Sequence, residues 1–491
     1  MRINPTGGAG HPTVRHRVVI ACFALLTVVL QLPFLGAPAG RDEAGFLMVG
    51  RGVGHGDAVY GRYMVDRPPL LVWIFETAGE LTTLRVVGCV AAAAVVLLVG
   101  AAAWIAAGPR AGTWAAGAAA LLLAQPWLGT NRVNGEMLAA PFSALALLAT
   151  VLLVRRRGGW VLAVLAGSAA TLALLVKQST VDAVVFVVVA LAVVAQRGRR
   201  SRRELLTITA GVAGGVVVTL VAVVTVAAAR GTGPAELFDA VVWFRVEAGE
   251  TIGTSASGAT GLRVLVLLGT WLVSGLSVLT AMVILLAARR RDPLTLATAS
   301  ALIAASAVAL FGGSYWAHYL IALVPAASFG AGLVADAVPA TWRRVGAGLL
   351  VTATVVTMAH AMTASTRDGH DAQRVGRAIQ RVAEPGDTAV VTYGQPNVLF
   401  NAGLESPYPY LWSLPVRVLD PDLEQLAEVL SGDDAPTWVV EWSGFDDWGV
   451  DPALLIDVVE HRYRPVGDVC GREVWLDRRV ERRALEREDC R

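Results

Sequence analysis

Residues 205–229 read LLTITAGVAGGVVVTLVAVVTVAAA, a run without any charged residue between Arg202-Arg203-Glu204 and Arg230. At about 1.5 Å per residue, an α-helix of this length exceeds the roughly 30 Å hydrocarbon core of a bilayer. The run therefore predicts a membrane-spanning helix. Similar apolar runs begin near Val18, Leu84, Ala111, Glu136, Trp160, Ser179, Leu262, Pro293, Tyr319 and Val345, which makes eleven predicted transmembrane helices in all.

The composition of the whole chain agrees with this prediction. Hydrophobic residues make up 55% of the 491 residues and charged residues 16%, whereas a soluble globular protein carries about 25% charged residues. The predicted fold class is an α-helical polytopic membrane protein, with Gly and Ala allowing close contact between its helices. A net charge of +2, from 41 basic and 39 acidic residues, argues against a nucleic-acid partner.

Arginine clusters predict the orientation in the bilayer, because basic residues of short loops stay on the cytoplasmic side. With eleven spans, every cluster before the tail falls on one side; the clusters are Arg2, Arg15 and Arg17, then 155–157, 197–203, 289–291, and Arg343 and Arg344. We therefore expect a multi-pass protein of the cell membrane with a cytoplasmic N-terminus. The loops 36–83 and 230–261 are then extracytoplasmic, as is the chain after about residue 366.

The tail, residues 366–491, differs from the membrane domain, residues 1–365, because its charge rises and long apolar runs end. Its pattern predicts helices over 374–383, 421–430 and 452–461 and strands over 388–393, 437–442 and 473–476, which is typical of a small α/β domain. Cys470 and Cys490 lie in this extracytoplasmic part, where a disulfide is chemically permitted, and the sequence leaves open whether they pair. Trp438, Trp442 and Trp448 are more typical of core packing than of a sugar-stacking surface.

The first loop, 36–83, combines an acidic pair with a basic-proline segment. Asp42-Glu43 follows the first span directly, and Asp66-Arg67-Pro68-Pro69-Leu70-Leu71 follows about 24 residues later and leads into another apolar stretch. An acidic pair near a span is often no more than two solvated loop charges. A carboxylate at the membrane surface is also suited to act as a general base on a hydroxyl group.

This arrangement resembles the first extracytoplasmic loop of the GT-C superfamily of membrane glycosyltransferases, in the branch of the protein O-mannosyltransferases and lipid A aminoarabinose transferases. In that branch an Asp-Glu pair precedes a basic-Pro-Pro-Leu-Leu segment, more often with lysine where this chain has Arg67. Three further stretches match in the same order: 131–136 (NRVNGE), 174–179 (LLVKQS), and 318–320 (HYL) followed by Pro325. The resemblance covers roughly residues 15–335 and does not include the sequence of the tail.

The resemblance implies a hexosyl- or pentosyltransferase that moves a sugar from a polyprenyl-phosphate donor to an acceptor hydroxyl on a glycan, lipid or protein, with inversion at the anomeric carbon. The lipid bilayer is then its environment and the source of the donor. Asp42 would be the catalytic base and Glu43 a second catalytic carboxylate that supports it. The candidates for binding the donor phosphate are Arg67, Lys177, Arg245, His318 and Tyr319, and the acceptor-binding or supporting candidates are Glu136, Asp66 and Arg132.

Simpler interpretations exist for several of these residues. Lys177 is the only lysine of the chain, and a lysine at a helix end often extends toward the membrane surface. Glu136 could stabilise a helix N-terminus, and His318 with Tyr319 could anchor a span at the interface. No metal is required by the pattern, although Asp42, Glu43 and Glu136 could hold a divalent ion if they converge.

Two other function classes are alternatives to the enzyme. A transporter or lipid flippase predicts polar residues through the midplane and internal pseudo-symmetry, whereas the sequence shows no repeat and its polar residues cluster on one face. A non-enzymatic membrane scaffold accounts for the tail but leaves the Asp-Glu and Arg-Pro-Pro arrangement without a reason. The identities of the sugar and of the acceptor do not follow from the sequence.

Overall fold

The computed structural model describes residues 11–156, 159–198, 200–254, 258–363, 367–447, 450–485 and residue 490. The chain divides into two compact units. The bundle unit comprises Met1–Leu35, Leu84–Thr225 and Ser257–Thr363, and the loop-and-tail unit comprises Gly36–Thr83, Val226–Ala256 and Ala364–Arg491. The predicted membrane-domain boundary after residue 365 stays a prediction, as does the placement of Trp448, which lies outside the described residues.

The bundle unit is made of long helices. These are α1 (His11–Gln31), α4 (Leu81–Ala107), α5 (Pro109–Leu123), α6 (Gly135–Arg156), α7 (Trp160–Val176), α8 (Asp182–Gln196), α9 (Arg202–Ala229), α12 (Gly258–Val273), α13 (Leu276–Arg290), α14 (Pro293–Phe311), α15 (Val324–Ala337) and α16 (Ala340–Thr363). Three 3₁₀ turns accompany them, at Leu32–Phe34, Pro126–Leu128 and Ala317–Leu323. All eleven predicted apolar runs are helical in their described parts, which confirms the predicted class of fold.

The number of spans depends on how the shorter helices and one bent pair are counted. Seven described helices are long and apolar enough to cross a membrane, or up to eight if a bent pair counts as one span. That pair, Gly261–Val273 and Leu276–Arg290, is bent by 63° around Gly275, whose φ of 83° favours glycine. Helices α5, α7 and α8 have 15, 17 and 15 residues, so the predicted count of eleven stays a prediction.

Small residues bring helices of the bundle unit into close contact. A Cβ atom at Gly167 on α7 would lie 2.1 Å from the Val212 carbonyl oxygen, and one at Gly215 on α9 would lie 2.2 Å from that of Val164. Ser168 Oγ also donates a hydrogen bond to the Gly215 carbonyl at 3.2 Å. Backbone approach of this kind is how membrane helices associate, because lipid tails are as apolar as the side chains.

The loop-and-tail unit combines short helices with one mixed sheet. Its helices are α2 (Arg41–Gly54), α3 (Pro69–Ala78), α10 (Pro234–Phe238), a π-helical turn (Asp239–Trp243), α11 (Phe244–Thr254), α17 (Arg367–Gln380), α18 (Pro396–Ala402), α19 (Ser413–Leu419), α20 (Glu424–Ser431) and α21 (Ala453–Arg462). Its strands are β1 (Ala389–Thr392), β2 (Trp438–Glu441), β3 (Tyr463–Val469) and β4 (Arg472–Asp477). Helix α2 packs against α3 and against α18 of the tail.

The sheet has the order β1-β2-β4-β3. Strands β1 and β2 run parallel, with Val390 opposite Val439, and the other two pairs are antiparallel. The tail is thus the α/β domain that the sequence predicted, and Trp438 is fully buried in it. Strand β3 was not predicted, because Pro465 and Gly467 interrupt its alternation and the register shifts between them.

Two further features stabilise the tail. Cys470 and Cys490 form a disulfide, which the sequence had left open. Asp387 accepts hydrogen bonds from Trp438 Nε1 at 3.0 Å and from Arg482 Nη2 at 2.6 Å. Burial alone would raise the pKa of the Asp387 carboxyl, but hydrogen bonds from Arg482, the Glu384 amide and Trp438 outweigh it and lower that pKa.

Candidate active site

The predicted acidic pair lies in the first turn of α2, and its two members have different partners. Glu43 is 1% exposed, and its Oε2 accepts a hydrogen bond from the Gly40 amide at 2.9 Å. A glutamate at the third helical position that bonds back to the N-cap amide stabilises the start of a helix. Glu43 therefore has a structural function here, and its supporting catalytic role stays a prediction.

Asp42 is partly exposed and is bonded to the tail. Its Oδ1 accepts a hydrogen bond from Trp412 Nε1 at 3.1 Å, between residues 370 positions apart in the chain. The Trp412 ring also packs on Phe46, one turn further along α2, with centroids 5.0 Å apart. One carboxylate oxygen of Asp42 is therefore held by an indole N–H.

Asp66 connects two arginines of the loop-and-tail unit. Its Oδ1 pairs with Arg67 Nη1, and its Oδ2 pairs with Arg245 Nη1 at 2.9 Å. Pro68 is extended and Pro69 opens α3, because proline suits the first position of a helix. Arg67 is consequently held at the entrance to α3, and the predicted residues Asp66, Arg67 and Arg245 form one ionic group with an excess of one positive charge.

Tyr60 and Phe46 support the Arg67 side of this group. Tyr60 Oη donates a hydrogen bond to the Arg67 carbonyl at 2.9 Å, and the Arg67 guanidinium lies 6.0 Å from the Phe46 ring centroid. Burial first, and the nearby carboxylates of Glu236 and Asp66 second, raise the pKa of Tyr60 well above its usual value, so the phenol stays a donor. We call Asp42, Glu43, Asp66, Arg67 and Arg245 the loop group.

A second cluster, which we call the bundle group, consists of Glu136, Lys177, His318 and Tyr319. Asn134 Oδ1 caps α6 by accepting from the Met137 amide at 2.9 Å, which places Glu136 in the first turn. Glu136 Oε1 lies 3.2 Å from Lys177 Nζ, with both side chains buried, and its Oε2 lies 3.9 Å from His318 Nε2. Three of the family-matching stretches thus meet at one buried carboxylate.

Aromatic rings extend the bundle group. Lys177 Nζ lies 5.3 Å from the Tyr319 ring centroid, and His318 meets the Tyr319 ring edge-on. Trp316 stacks on His318 with centroids 6.3 Å apart, and the Arg263 guanidinium lies 5.2 Å from the Trp316 ring. Cations over aromatic faces are held in place without losing their charge.

The bundle group lies far from the predicted cytoplasmic arginines. Glu136 and Arg155 are at opposite ends of α6, about 28 Å apart at 1.5 Å per residue. At the Arg155 end, Arg200 donates to the Leu153 carbonyl, and Arg197 donates to the Arg291 carbonyl. The bundle unit therefore separates an arginine-rich end from an end that holds a buried Glu–Lys pair.

The remaining predicted residue, Arg132, has a different setting. It lines a small cavity of about 20 Å³ with the buried Arg85, Gln31 and Met137. Arg85 Nη1 donates to the carbonyls of Phe34 and Leu35 at 3.1 and 3.0 Å. The structure therefore gives Arg132 a place in the wall of this cavity, and its supporting role stays a prediction.

The predicted metal ligands already have protein partners. Asp42 accepts a hydrogen bond from Trp412, and Glu43 accepts one from the Gly40 amide. Glu136 forms an ion pair with Lys177. Within the described residues, one cluster has metal-ligand spacing, Asp371 with Cys470 and Cys490, and its two cysteines are joined in the disulfide. The divalent metal stays a prediction.

Sequence reasoning missed four contributors to these groups: Trp412, Tyr60, Trp316 and Arg263. Trp316 flanks the 318–320 stretch, so an aromatic two positions before His318 was a usable signal, whereas Arg263 adjoins none of the matching stretches. The sequence gives no such signal for Trp412, because no motif or spacing near it indicates a contact with Asp42.

Comparison with solved structures identifies the fold. The chain is similar to ArnT from Cupriavidus metallidurans bound to undecaprenyl phosphate, with a TM-score of 0.62 and 17% identity over 94% of this chain and 98% of that chain. It is also similar to the Archaeoglobus fulgidus oligosaccharyltransferase tethered to an acceptor peptide with the NVT sequon, with a TM-score of 0.56 and 14% identity over 93% and 73%. A complex of the same Archaeoglobus fulgidus enzyme with Zn and sulfate matches with a TM-score of 0.54 and 16% identity over 86% and 67%.

No protein-family model matches the chain, and no curated protein matches it in sequence. The likeness is therefore one of fold: this protein has the fold of the GT-C glycosyltransferases, as the order of its motifs predicted.

Proposed function

We propose that this protein is an integral membrane glycosyltransferase that moves a sugar from a polyprenyl-phosphate donor to an acceptor hydroxyl, with inversion at the anomeric carbon. The observation that carries the proposal is the GT-C fold, shared over 94% of the chain with a structure whose bound lipid is undecaprenyl phosphate. The ordered set of family-like motifs supports it independently, because the motifs are observed in the sequence itself and do not depend on the structural similarity.

Asp42 is the proposed general base. It takes the proton of the acceptor hydroxyl while that oxygen attacks the anomeric carbon from the face opposite the phosphate. The bond between the anomeric carbon and the phosphate oxygen breaks, its electron pair stays on the polyprenyl phosphate, and Asp42 later releases its proton to water. Two observations support this assignment. Asp42 is partly exposed, and the bond of its Oδ1 to Trp412 leaves Oδ2 as a proton acceptor.

Arg67 and Arg245 are proposed to stabilise the negative charge that develops on the leaving phosphate. Their common partner Asp66 keeps both guanidinium groups in place before the reaction, and fixed charges lower a barrier because they need no rearrangement. Arginine can bind a phosphate through two parallel hydrogen bonds. Lys177, His318 and Tyr319 are proposed as further donor-binding residues, with Glu136 holding Lys177 in position.

The proposed reaction takes place on the extracytoplasmic side, with the N-terminus in the cytoplasm and residues 366–491 outside. The contact of Arg197 with Arg291 supports this orientation, because two of the arginine clusters meet at one end of the bundle unit. The disulfide between Cys470 and Cys490 agrees with an oxidising compartment.

The test is to incubate the purified full-length protein in nanodiscs with a panel of polyprenyl-phosphate hexoses and pentoses and a cell-envelope extract that supplies glycan, lipid and protein acceptors, and to measure which donor is consumed. Asp42→Asn is expected to reduce transfer by about 10²- to 10⁴-fold, the usual contribution of a general base. Asp57→Asn is the matched control, since it changes a carboxylate of the same loop outside the loop group and should keep full activity. Consumption of no donor, or an Asp42→Asn variant with the wild-type rate, would contradict the proposal.

A further inference from the structure

The tail segment 405–412 contacts the first loop, 36–83, within the loop-and-tail unit. Four contacts join them: Glu405 with Arg62 at 2.7 Å, the Ser406 amide with Tyr63 Oη at 3.1 Å, the Pro409 carbonyl with the Met64 amide at 3.0 Å, and Trp412 Nε1 with Asp42 Oδ1 at 3.1 Å. The loop residues of the first three contacts come just before Asp66-Arg67 in the chain, and the fourth contact is with the proposed base, Asp42. The segment therefore contacts the acidic half of the first-loop motif directly and the residues that lead into its Asp66-Arg67 half.

The same segment is held firmly by the tail itself. The Ala389 amide donates to the Glu405 carbonyl at 3.0 Å, which attaches the segment to β1. The buried Tyr408 Oη donates to Asp420 Oδ2 at 2.8 Å. Burial and the adjacent Asp420 carboxylate raise the pKa of Tyr408 far above its usual value, so this donor is kept at any physiological pH. Trp412 thus projects from an anchored piece of backbone.

Gly45 makes room for the Trp412 ring. A Cβ atom at Gly45 would lie 2.3 Å from Cζ2 of Trp412 and 3.0 Å from Cγ of Pro396. Gly45 follows Asp42 by three positions, so the two share a face of α2. The absence of a side chain at Gly45 is therefore what lets the indole pack against α2 with its N–H bonded to Asp42.

We infer that Trp412 is a positioning residue for the transfer reaction, a role that rests on the proposed function of Asp42 as base. Its indole N–H is a donor without acceptor capacity, so it can only donate, and it holds Asp42 Oδ1, which leaves Oδ2 for the acceptor hydroxyl. The same ring packs on Phe46, which in turn faces the Arg67 guanidinium. The C-terminal domain thereby sets the geometry of the base and supports the cation proposed to receive the leaving phosphate.

Trp412→Phe tests this inference, because it keeps the aromatic ring and removes the N–H. The expected result is a kcat reduced about 10- to 100-fold, the effect of a reacting group misplaced by about 1 Å, with unchanged donor KM and unchanged Tm. Gly45→Ala, which displaces the ring from the other side, is expected to lower kcat in the same way. A lowered Tm with an unchanged kcat in both variants would overturn the inference.

Trp438→Phe is the matched control, since Trp438 Nε1 also donates to a carboxylate, Asp387, at 3.0 Å. It lies in the core of the tail and away from the loop group, so it should lower Tm and leave kcat unchanged. Equal effects of Trp412→Phe and Trp438→Phe on kcat would show that Trp412 acts only through the stability of the tail, which would also overturn the inference.

Two readouts separate this inference from the proposed function. Asp42→Asn with the wild-type rate refutes the base assignment, whereas an inactive Asp42→Asn beside a fully active Trp412→Phe refutes the positioning role alone. Ultraviolet resonance Raman difference spectra, wild type minus Trp412→Phe, report the hydrogen bond of this one indole N–H without any substrate. The band is expected to shift in Asp42→Ala, and an unshifted band overturns the inference even if no donor is consumed.

Discussion

The buried ion pair between Glu136 and Lys177 yields a prediction that separates folding from donor binding. Nζ and Oε1 are 3.2 Å apart, and the side chains of Lys177 and Glu136 are 7% and 1% exposed. At an effective dielectric constant of about 20, two unit charges at this distance attract by about 5 kcal/mol. Removal of one partner leaves a buried charge uncompensated and costs about 3–5 kcal/mol. Glu136→Gln and Lys177→Met are therefore each expected to lower the unfolding temperature clearly.

The double variant Glu136→Gln/Lys177→Met should regain most of that loss, because a buried pair contributes little net stability compared with neutral side chains of similar size. It should not regain transfer activity or donor binding, since Lys177 is proposed to bind the phosphate. The assays are thermal unfolding followed by tryptophan fluorescence in one detergent, and binding of a polyprenyl phosphate to the same samples. Both are measured on the two single variants, the double variant and the wild type.

Arg290 and Asp336 provide the matched control pair in the bundle unit. They are 3.9 Å apart with side chains 38% and 50% exposed, and exposed pairs of this kind contribute about 0–1 kcal/mol. Their neutralisation should leave unfolding nearly unchanged. Additive losses for Glu136 and Lys177 would refute the coupling, and a double variant with restored transfer would show that Lys177 serves only to neutralise Glu136.

Three further outcomes are expected. Glu43→Ala should cost about 0.5–2 kcal/mol of unfolding free energy, because α2 loses the carboxylate that accepts from the amide of its N-cap residue Gly40, and Glu43→Gln should cost less; equal thermal stability of the two variants would contradict this. Because its pKa is lowered in the folded tail, Asp387 should stabilise the protein above about pH 4 and lose that contribution as pH falls through the lowered value, so Arg482→Met should weaken the dependence of Tm on pH in this acidic range. Cys470→Ser/Cys490→Ser should lower unfolding free energy by about 3 kcal/mol, and a reducing agent should have the same effect on the wild type but none on the variant.

The helices of the bundle unit were predictable because they are local. Each is set by a run of Ala, Val, Leu and Gly and by its flanking breakers, such as Pro109 and Pro293 at the first positions of α5 and α14. Whether a run crosses the bilayer is not local, since it depends on tilt and on neighbouring helices. This is why α5, α7 and α8 were found as helices while the number of spans stayed open.

The candidate site was predictable in its charged members and not in their partners. Asp66 and Arg67 are adjacent, but Arg245 joins them from 179 positions away, and only its sign and its loop placement pointed to it. Trp412 could not be found at all, because it lies 370 positions from Asp42 in the chain and meets it only in the folded structure. Long-range contacts made by a single side chain leave no periodicity or spacing in the sequence.

The Asp42-Glu43 motif shows why such a pair cannot be interpreted from sequence as two equal carboxylates. Successive residues of an α-helix point about 100° apart, so the two side chains cannot face one ligand in the same way once α2 begins at Arg41. The third helical position of Glu43 sends its carboxylate back to the Gly40 amide, while the second position of Asp42 directs it to Trp412. The start of the helix therefore assigns one carboxylate to hold α2 and leaves the other for the proton transfer that we propose, which is why we expect the two alanine substitutions to differ, with Glu43→Ala failing in stability and Asp42→Ala in chemistry.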